Sequence, residues 1–269
     1  MITSSPLAKW VLRVVMVLGL AFIYVPLGVV LVNSFNASNV FAWPPVQFTT
    51  KWWSAAWHNA GLREAFLTSV EVGLIATLIA MVLGALLAFA LSRYDFFGRQ
   101  TLSLLVILPI ALPGIVTALA LRTAFREILG VELSIWTVVI AHATCCIVVV
   151  YNNVIARLRR LGTSLEEASR DLGADGFTTF RLVTFPMLRG AFLAGGILAF
   201  GLSFDEIVVT LFTAPAGVTT LPIWIFQNLF RPNQAPIVNV VAAALVLLSI
   251  IPIWLSQRLS AGSTAQGRM

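Results

Sequence analysis

Six long apolar segments dominate this chain and limit the folds open to it. Each reaches the roughly 20 residues that an α-helix needs to cross a bilayer. We place these segments at 11–33, 68–92, 101–122, 134–156, 190–213 and 237–257. With 59% hydrophobic and only 10% charged residues, the chain lacks the charged surface of a soluble domain, which is about 25% charged. The sequence therefore predicts an all-α membrane protein with six transmembrane helices, in a single domain over residues 1–269.

The composition also excludes several classes of protein. The formal net charge is +6, but the basic residues form no long run and no aromatic–basic stripe, so no nucleic-acid partner is predicted. His58 and His142 are isolated, and Cys145 and Cys146 are adjacent within an apolar run. This pattern indicates neither a metal site nor a disulfide. No nucleophile–base pair is visible, so no catalytic residues are assigned.

The distribution of lysine and arginine predicts the orientation of the chain. If the N-terminus is inside the cell, twelve of the 17 basic residues lie on the inner side, and loops rich in Lys and Arg stay in the cytoplasm. The inner residues are Lys9, Arg13, Arg93, Arg99, Arg157, Arg159, Arg160, Arg170, Arg181, Arg189, Arg258 and Arg268. Both termini and the loop at 157–189 are therefore expected in the cytoplasm.

Two prolines interrupt the third predicted span, in "LPIALPG". Pro109 and Pro113 each remove a backbone hydrogen bond and bend a helix. Such bends persist in membranes where neighbouring helices or a cavity satisfy the freed carbonyls. The bend is typical either of a helix that curves around a translocation path or of an ordinary packed kink.

The polar loop at 157–189 begins with a helix signal, "TSLEEASRDLG". Ser164 and Glu167 have the spacing of a capping box, in which each side chain bonds to the other residue's backbone amide. Leu165, Ala168 and Leu172 then share one helical face. The sequence therefore predicts a short amphipathic helix in an otherwise apolar chain.

A second short helix is predicted directly after the first. Gly173 suits the left-handed residue that ends a helix, and Asp175 can cap the next one. Phe177 and Phe180 lie on one face of that helix, and Pro186 is expected to interrupt it before the fifth span. The two apolar faces either fold back onto the chain's own membrane helices or bind a cytoplasmic partner.

The same loop resembles the signature of ATP-binding-cassette (ABC) importer permeases. That signature reads Glu-Ala-Ala, three residues, Gly, nine residues, then Ile-x-Leu-Pro. The matching positions here are Glu167, Ala168, Ser169 and Gly173, then Val183, Thr184, Phe185 and Pro186. The spacing fits throughout, and the three departures (Ser169, Val183, Phe185) are conservative in size or apolarity.

The resemblance implies a role for the loop and a set of partners. In that family the loop at 157–189 is a coupling helix that sits in a groove of a cytoplasmic ATP-binding subunit. The positions carried over as coupling residues are Glu167, Ala168, Ser169, Gly173 and Pro186. The resemblance further implies the type I importer fold in a bacterial inner membrane. It also implies two copies of the ATP-binding subunit, a second and different permease, and an extracytoplasmic substrate-binding protein.

The chain has no site for ATP of its own. A phosphate-binding loop needs a lysine after glycine in G-x-x-x-x-G-K-[ST]. The only lysines are Lys9 and Lys51, and neither has that context. No cofactor is therefore expected in this chain, which is expected to be a non-catalytic subunit. The partner would bind ATP and Mg²⁺.

Other stretches extend the resemblance along most of the chain. "LPIALPGIVTALAL", "HATCCIVVVYNNVIARLRR", "AGGILAFGLSFDEIVVTLFTA" and "TTLPIWIF" look like the second permease of spermidine/putrescine importers. Relatives of that group carry aminobutyrate, opines or phosphonates instead. The resemblance thus implies polyamine cargo, with these others as alternatives.

Two carboxylates in the fifth span are candidates for the cargo path. Asp205 and Glu206 lie within "AFGLSFDEIVV", where a charge near the bilayer centre is costly. Helical neighbours point about 100° apart, so we expect one carboxylate to face the path and the other a partner or a helix end. Trp224 and Phe226, on a short helix between Thr220 and Pro232, add aromatic faces for a cation. The alternative is a structural carboxylate pair.

Two other classes compete with the importer permease. A secondary transporter or channel subunit driven by an ion gradient would use Asp205 and Glu206 as its ion site and would need no coupling loop. An intramembrane enzyme would need catalytic or metal-binding residues, and none is apparent. The assembly is expected to be a heterodimer with the second permease, although a homodimer stays open.

Overall fold

The computed structural model describes residues 6–39 and 43–249, and this part of the chain is almost entirely helical. Its elements are α1 (Pro6–Asn33), α2 (Lys51–His58), α3 (Ala60–Arg93), α4 (Arg99–Ala111), α5 (Gly114–Thr123), α6 (Ile135–Leu161), α7 (Ser164–Asp171), α8 (Gly176–Thr179), α9 (Phe185–Phe204), α10 (Val208–Thr213), α11 (Leu221–Asn228) and α12 (Ala235–Ser249). Two π-helical turns, Ala124–Ile128 and Phe180–Thr184, extend α5 and join α8 to α9.

The chain divides into two compact units, and the first contains residues 1–60 and 225–269. Its α1 is a 28-residue helix whose most apolar window has no buried side chains. A polar turn ends α1, where Asn36 Nδ2 donates to Asn33 Oδ1 at 3.1 Å. Trp52 Nε1 of α2 donates to the carbonyl oxygen of Asn36 at 3.0 Å, so α2 is fastened to this turn.

The second unit, residues 61–224, has α6 at its centre. Tyr151 and Leu158 of α6 and Leu188 of α9 are almost completely buried. A Cβ at Gly84 of α3 would lie 2.9 Å from the carbonyl oxygen of Ile147, so α3 and α6 approach closely because this residue has no side chain. This unit therefore has a tightly packed helical core, and it also contains the polar loop at 157–189.

Three of the predicted spans are confirmed as single helices. The segments 11–33, 68–92 and 134–156 correspond to α1, α3 and α6, each longer than predicted by several residues. The segment 237–257 is described only as far as α12 ends at Ser249, and residues 250–257 lie outside the described residues. Within the described part, four helices are long and apolar enough to cross a membrane, or five if a bent pair counts as one span. The count of six stays a prediction.

Two spans predicted as continuous are broken. The segment 101–122 is divided between α4 and α5, and the pair bends by 107°. Leu112, between the two helices, is extended because a residue before proline avoids helical angles. Pro113 follows it and directly precedes α5. The prolines thus produce a sharper change of direction than the kink we expected. The segment 190–213 is likewise divided, because α9 ends at Phe204 and α10 begins at Val208.

Candidate functional site

The polar loop forms two short helices joined by a tight turn, as predicted. Its first helix, α7, begins at Ser164, and Thr163 occupies the capping position without a side-chain hydrogen bond. The predicted capping box between Ser164 and Glu167 is therefore wrong. Ser164 is already inside the helix, and the amide of Glu167 donates to the Thr163 carbonyl at 2.9 Å. The signal was displaced by one residue because both Thr163 and Ser164 are cap formers.

The turn after α7 has the predicted geometry. Gly173 has φ +87°, in the left-handed region that favours glycine. Its amide donates to the Arg170 carbonyl, and the amide of Ala174 donates to the Ser169 carbonyl at 3.1 Å. These two bonds form a Schellman motif, which satisfies carbonyls at the end of a helix.

The second helix is capped as predicted. Asp175 Oδ1 accepts a hydrogen bond from the amide of Thr178 at 2.8 Å. Hydrogen bonds from the Thr178 side chain and amide lower the pKa of the Asp175 carboxyl. Ser169 Oγ lies 3.2 Å from Thr179 Oγ1 and so ties α7 to α8. The two helices therefore form one structured module, which we call the 164–184 module.

Glu166 fastens this module to α3, a role that sequence analysis missed. Its Oε1 accepts from Arg93 at the end of α3 at 2.9 Å and from Thr184 Oγ1 at 3.1 Å. Arg93 also donates to the carbonyl of Gly162 at 2.9 Å. Both charged side chains are mostly buried, so this ion pair is screened less than a surface pair. The Glu-Glu doublet itself was visible, but nothing in the sequence tells which glutamate points inward.

The opposite face of the module is exposed. Glu167 and Ala168 are exposed, and so are Leu165 (52%) and Leu172 (90%). Phe177 of α8 is 70% exposed as well. The apolar face predicted from Leu165, Ala168 and Leu172 is therefore not folded back onto the chain's own helices. It forms a surface that a partner would cover.

Pro186 does not interrupt the second helix, contrary to the prediction. The helix continues from α8 through the π turn into α9, and Pro186 is in the first turn of α9. The amide of Phe185 donates five residues back, to the Phe180 carbonyl. This wider turn accommodates a residue that has no amide hydrogen.

Aromatic rings connect the module to the helices beneath it. Phe180 lies edge-to-face with Phe89 of α3, with ring centroids 5.6 Å apart. The ring centroids of Phe180 and Phe185 are 6.0 Å apart, and those of Phe185 and Phe192 of α9 are 5.7 Å apart. A displacement of the π turn would therefore press directly on both membrane helices.

The second predicted site falls on the break between α9 and α10. Asp205 and Glu206 are not inside a helix but in the three-residue segment that separates the two helices. Glu206 Oε1 accepts from the amide of Val209 at 3.0 Å, so this carboxylate serves a helix end. Asp205 is exposed. This arrangement matches the expectation that one of the two carboxylates would bind a helix end.

The two aromatic residues predicted for the path lie on another element. Trp224 and Phe226 belong to α11, which begins after Thr220 and ends before Pro232, as expected. Trp224 is buried at 7% exposure, whereas Phe226 is 55% exposed. Phe226 is therefore accessible to a ligand, and Trp224 belongs to the packed interior.

Together these features define a multi-pass helical membrane protein with an exposed polar module. Residues 80–263 match the model of the family described as binding-protein-dependent transport system inner membrane component. The chain belongs to this family. Its apolar helices agree with an inner-membrane location.

Three relatives are similar to this chain over most of its length. The spermidine/putrescine transport system permease protein PotC of Escherichia coli (strain K12) is 34% identical over 244 residues, 91% of each chain. The putrescine transport system permease protein PotI of the same strain is 30% identical, over 87% of this chain and 84% of the relative. The putative 2-aminoethylphosphonate transport system permease protein PhnV of Salmonella choleraesuis is 30% identical, over 90% and 94%.

A solved structure agrees with the fold. A bacterial ABC transporter involved in the import of the acidic polysaccharide alginate has a chain that superposes with a TM-score of 0.72. The match covers 97% of this chain and 99% of that one, at 14% sequence identity. At this identity the likeness concerns the fold alone.

Proposed function

We propose that this chain is the permease subunit of an ABC importer for polyamines such as spermidine and putrescine. It hydrolyses nothing itself. Two copies of a cytoplasmic ATP-binding subunit supply the energy, a second and different permease completes the membrane pathway, and an extracytoplasmic binding protein delivers the cargo. The family membership and the similarity to PotC and PotI support this proposal.

The observation that carries the proposal is the two-sided construction of the 164–184 module. Glu166 on its inner side is bonded to Arg93 at the end of α3 and to Thr184 within the module, so the module is attached to α3. Its outer side leaves the Glu167 carboxylate and apolar side chains such as Leu172 uncovered. A module held on one face and open on the other transmits force between a soluble partner and membrane helices. The coupling residues are then Glu167, Ala168, Ser169, Gly173 and Pro186.

The exposed carboxylate at the break supports a cationic cargo. Asp205 is exposed, and Phe226 on α11 offers an accessible aromatic ring. A carboxylate and aromatic faces are the groups that bind ammonium ions. Of the four residues expected on the cargo path, Asp205 and Phe226 are better candidates for direct contact than Glu206 and Trp224.

The similarity to PhnV supports one alternative cargo, an aminophosphonate. Such a compound shares an ammonium group with a polyamine but also carries a phosphonate, which would need a cationic partner. Aminobutyrate and opines stand beside it as further alternatives. Competition against spermidine uptake by each compound distinguishes them.

The orientation follows from the distribution of arginine. The 164–184 module carries Arg170 and Arg181 and lies next to Arg157, Arg159 and Arg160, so it belongs on the cytoplasmic side. Both termini would lie on the same side. Residues 1–5 and 250–269, which include Arg258 and Arg268, lie outside the described residues.

The experiment that tests the proposal separates ATP from ion gradients as the energy source. The chain is co-expressed with its partner subunits, reconstituted into proteoliposomes that contain ATP, and assayed for uptake of radiolabelled spermidine. We expect uptake to require hydrolysable ATP and to survive an ionophore that dissipates ion gradients. Uptake that ignores ATP and stops with the ionophore would indicate a secondary transporter.

A further inference from the structure

A buried histidine bridges the break between α9 and α10. His142 of α6 is only 2% exposed. Its Nδ1 lies 2.8 Å from the hydroxyl of Ser203, near the end of α9. Its Nε2 lies 2.9 Å from the hydroxyl of Thr210, in the first turn of α10. One imidazole therefore holds the last turn of one helix and the first turn of the next.

Counting protons gives these hydrogen bonds a direction. A threonine hydroxyl has one proton, and Thr210 donates it to the carbonyl oxygen of Glu206 at 2.9 Å. Thr210 Oγ1 must then accept from Nε2–H of His142, which leaves Nδ1 to accept from Ser203. The bonds run from Ser203 through His142 and Thr210 to Glu206. This series of hydrogen bonds ends at a backbone carbonyl of the segment between α9 and α10.

A break in this position needs such support. A chain that leaves its helix for three residues gives up hydrogen bonds between backbone groups, and unpaired polar groups are costly in an apolar environment. The amide of Asp205 retains a partner in the Gly201 carbonyl, and the amide of Val209 bonds to the Glu206 carboxylate. The Thr210 hydroxyl, which is itself bonded to His142, adds a partner for the carbonyl of Glu206. The segment is therefore fixed by specific bonds.

We propose that His142 is a positioning residue, which holds the segment at 205–207 in one unwound conformation and thereby sets where the Asp205 carboxylate stands. The part of this inference that concerns cargo rests on the proposed function. The geometric part concerns the break alone. His142 acts through Ser203 and Thr210 and does not touch the cargo.

The test compares two substitutions at one residue with a matched control one turn away. Thr210→Val keeps the shape of the side chain but removes both of its hydrogen bonds, whereas Thr210→Ser keeps the hydroxyl. Thr213→Val is the control, because the Thr213 hydroxyl donates within its own helix, to the Val209 carbonyl. Thr210 and Thr213 are both completely buried in α10, so the two valine variants lose similar hydroxyls in similar surroundings.

The geometric arm uses a nitroxide spin label on a cysteine at position 205, in the full-length chain with Cys145 and Cys146 replaced by alanine. We expect the label to become more mobile in Thr210→Val and to keep its mobility in Thr210→Ser and Thr213→Val. If Thr210→Val does not accumulate in the membrane, Ser203→Ala replaces it, since it removes only the bond to Nδ1. Equal mobility in all variants would overturn the inference, whatever the cargo is.

The cargo arm measures spermidine uptake by the assembled transporter with Asp205 and both cysteines intact. We expect Thr210→Val to raise KM about fivefold, roughly the factor for one lost hydrogen bond, with KM near normal in Thr210→Ser and Thr213→Val. A matching loss of Vmax in both valine variants, with KM unchanged, would indicate general destabilisation and overturn the positioning role. If the unsubstituted transporter takes up no spermidine, the proposed cargo fails, while the spin-label arm still decides the inference.

Discussion

Glu166 and Glu167 are adjacent in sequence and have opposite environments. The Glu166 carboxylate accepts hydrogen bonds from Arg93 and Thr184 and is mostly buried, whereas Glu167 is exposed. The helix turns about 100° between them, so one carboxylate anchors the module while its neighbour stays available to a partner. Substitutions at these two positions can therefore test the attachment of the module separately from its proposed docking.

The same substitution at these two positions is expected to have different effects. Glu166→Gln removes the charge that Arg93 pairs with, and hydrogen bonds to charged groups contribute about 1.5–3 kcal/mol. We expect the module of this variant to become sensitive to limited proteolysis. Glu167→Gln, at an exposed position, should leave proteolysis unchanged, as surface substitutions usually stay within about 0.5 kcal/mol. Equal protection of both variants would contradict the anchoring role of Glu166.

Docking is tested by a charge reversal on the outer face. Glu167→Lys leaves the inner bonds of Glu166 in place but reverses the charge presented to the ATP-binding subunit. We expect normal membrane insertion and proteolysis, with reduced co-purification of the ATP-binding subunit and reduced uptake. Full co-purification and full uptake in this variant would exclude Glu167 from the docking surface.

The turn after α7 is expected to tolerate only glycine. Gly173 has φ +87°, a conformation that costs other residues roughly 1–2 kcal/mol and a β-branched valine the most. Gly173→Val should therefore distort the angle between α7 and α8 and lower ATP-dependent uptake. Gly176→Ala is the control, because Gly176 begins α8 and a Cβ there meets nothing within 4 Å. Normal uptake in Gly173→Val would show that the angle is unimportant.

The approach of α3 to α6 makes a second glycine sensitive for another reason. A Cβ at Gly84 would lie 2.9 Å from the Ile147 carbonyl oxygen and 3.1 Å from the Tyr151 amide nitrogen. Backbone atoms cannot move aside as a flexible side chain does, so Gly84→Ala should cost about 1–3 kcal/mol. Thermal unfolding in detergent measures the effect. Gly190→Ala, where a Cβ meets nothing within 4 Å, should unfold close to the unsubstituted protein.

Much of this architecture was predictable from the sequence, because apolar runs of about 20 residues report membrane-length helices directly. Hydropathy does not report backbone conformation, however, so the break after Phe204 was not predicted within its continuous apolar segment. Pro109 and Pro113 indicated a bend but not its size. The interruption expected at Pro186 is absent because a π turn, which the sequence pattern did not predict, accommodates the proline.

The candidate sites divide in the same way. Gly173 and Asp175 were predictable, since turn and cap chemistry depend on local spacing. The bond from Glu166 to Arg93 joins residues 73 positions apart, and those of His142 join residues 61 and 68 positions apart. Such pairings depend on how α3, α6 and α9 pack. A lone histidine in an apolar run gives no sign of them.

The expected orientation of the chain places the 164–184 module on the cytoplasmic side of the membrane. In a chain with Cys145 and Cys146 replaced by alanine, a cysteine at Ser164 should react with a membrane-impermeant maleimide only after the cells are opened. Ser164 is exposed, so access within the protein does not limit the reaction. A cysteine at Lys51, expected outside, is the matched control. Labelling of position 164 in intact cells would contradict the predicted topology and, with it, the proposal of a cytoplasmic ATP-binding partner.

The last prediction concerns the two carboxylates at the break, where the structure sets different expectations. Asp205→Asn keeps the shape and removes an exposed charge. An ammonium group of the cargo that contacts this carboxylate would lose a charge-assisted hydrogen bond, so spermidine uptake at limiting cargo should fall. Glu206→Gln retains an oxygen that can accept from the Val209 amide, so its effect should be smaller. Expression and co-purification of the ATP-binding subunit are the controls, because neither residue belongs to the 164–184 module. Normal uptake in both variants would make the carboxylates structural and favour a zwitterionic or anionic cargo.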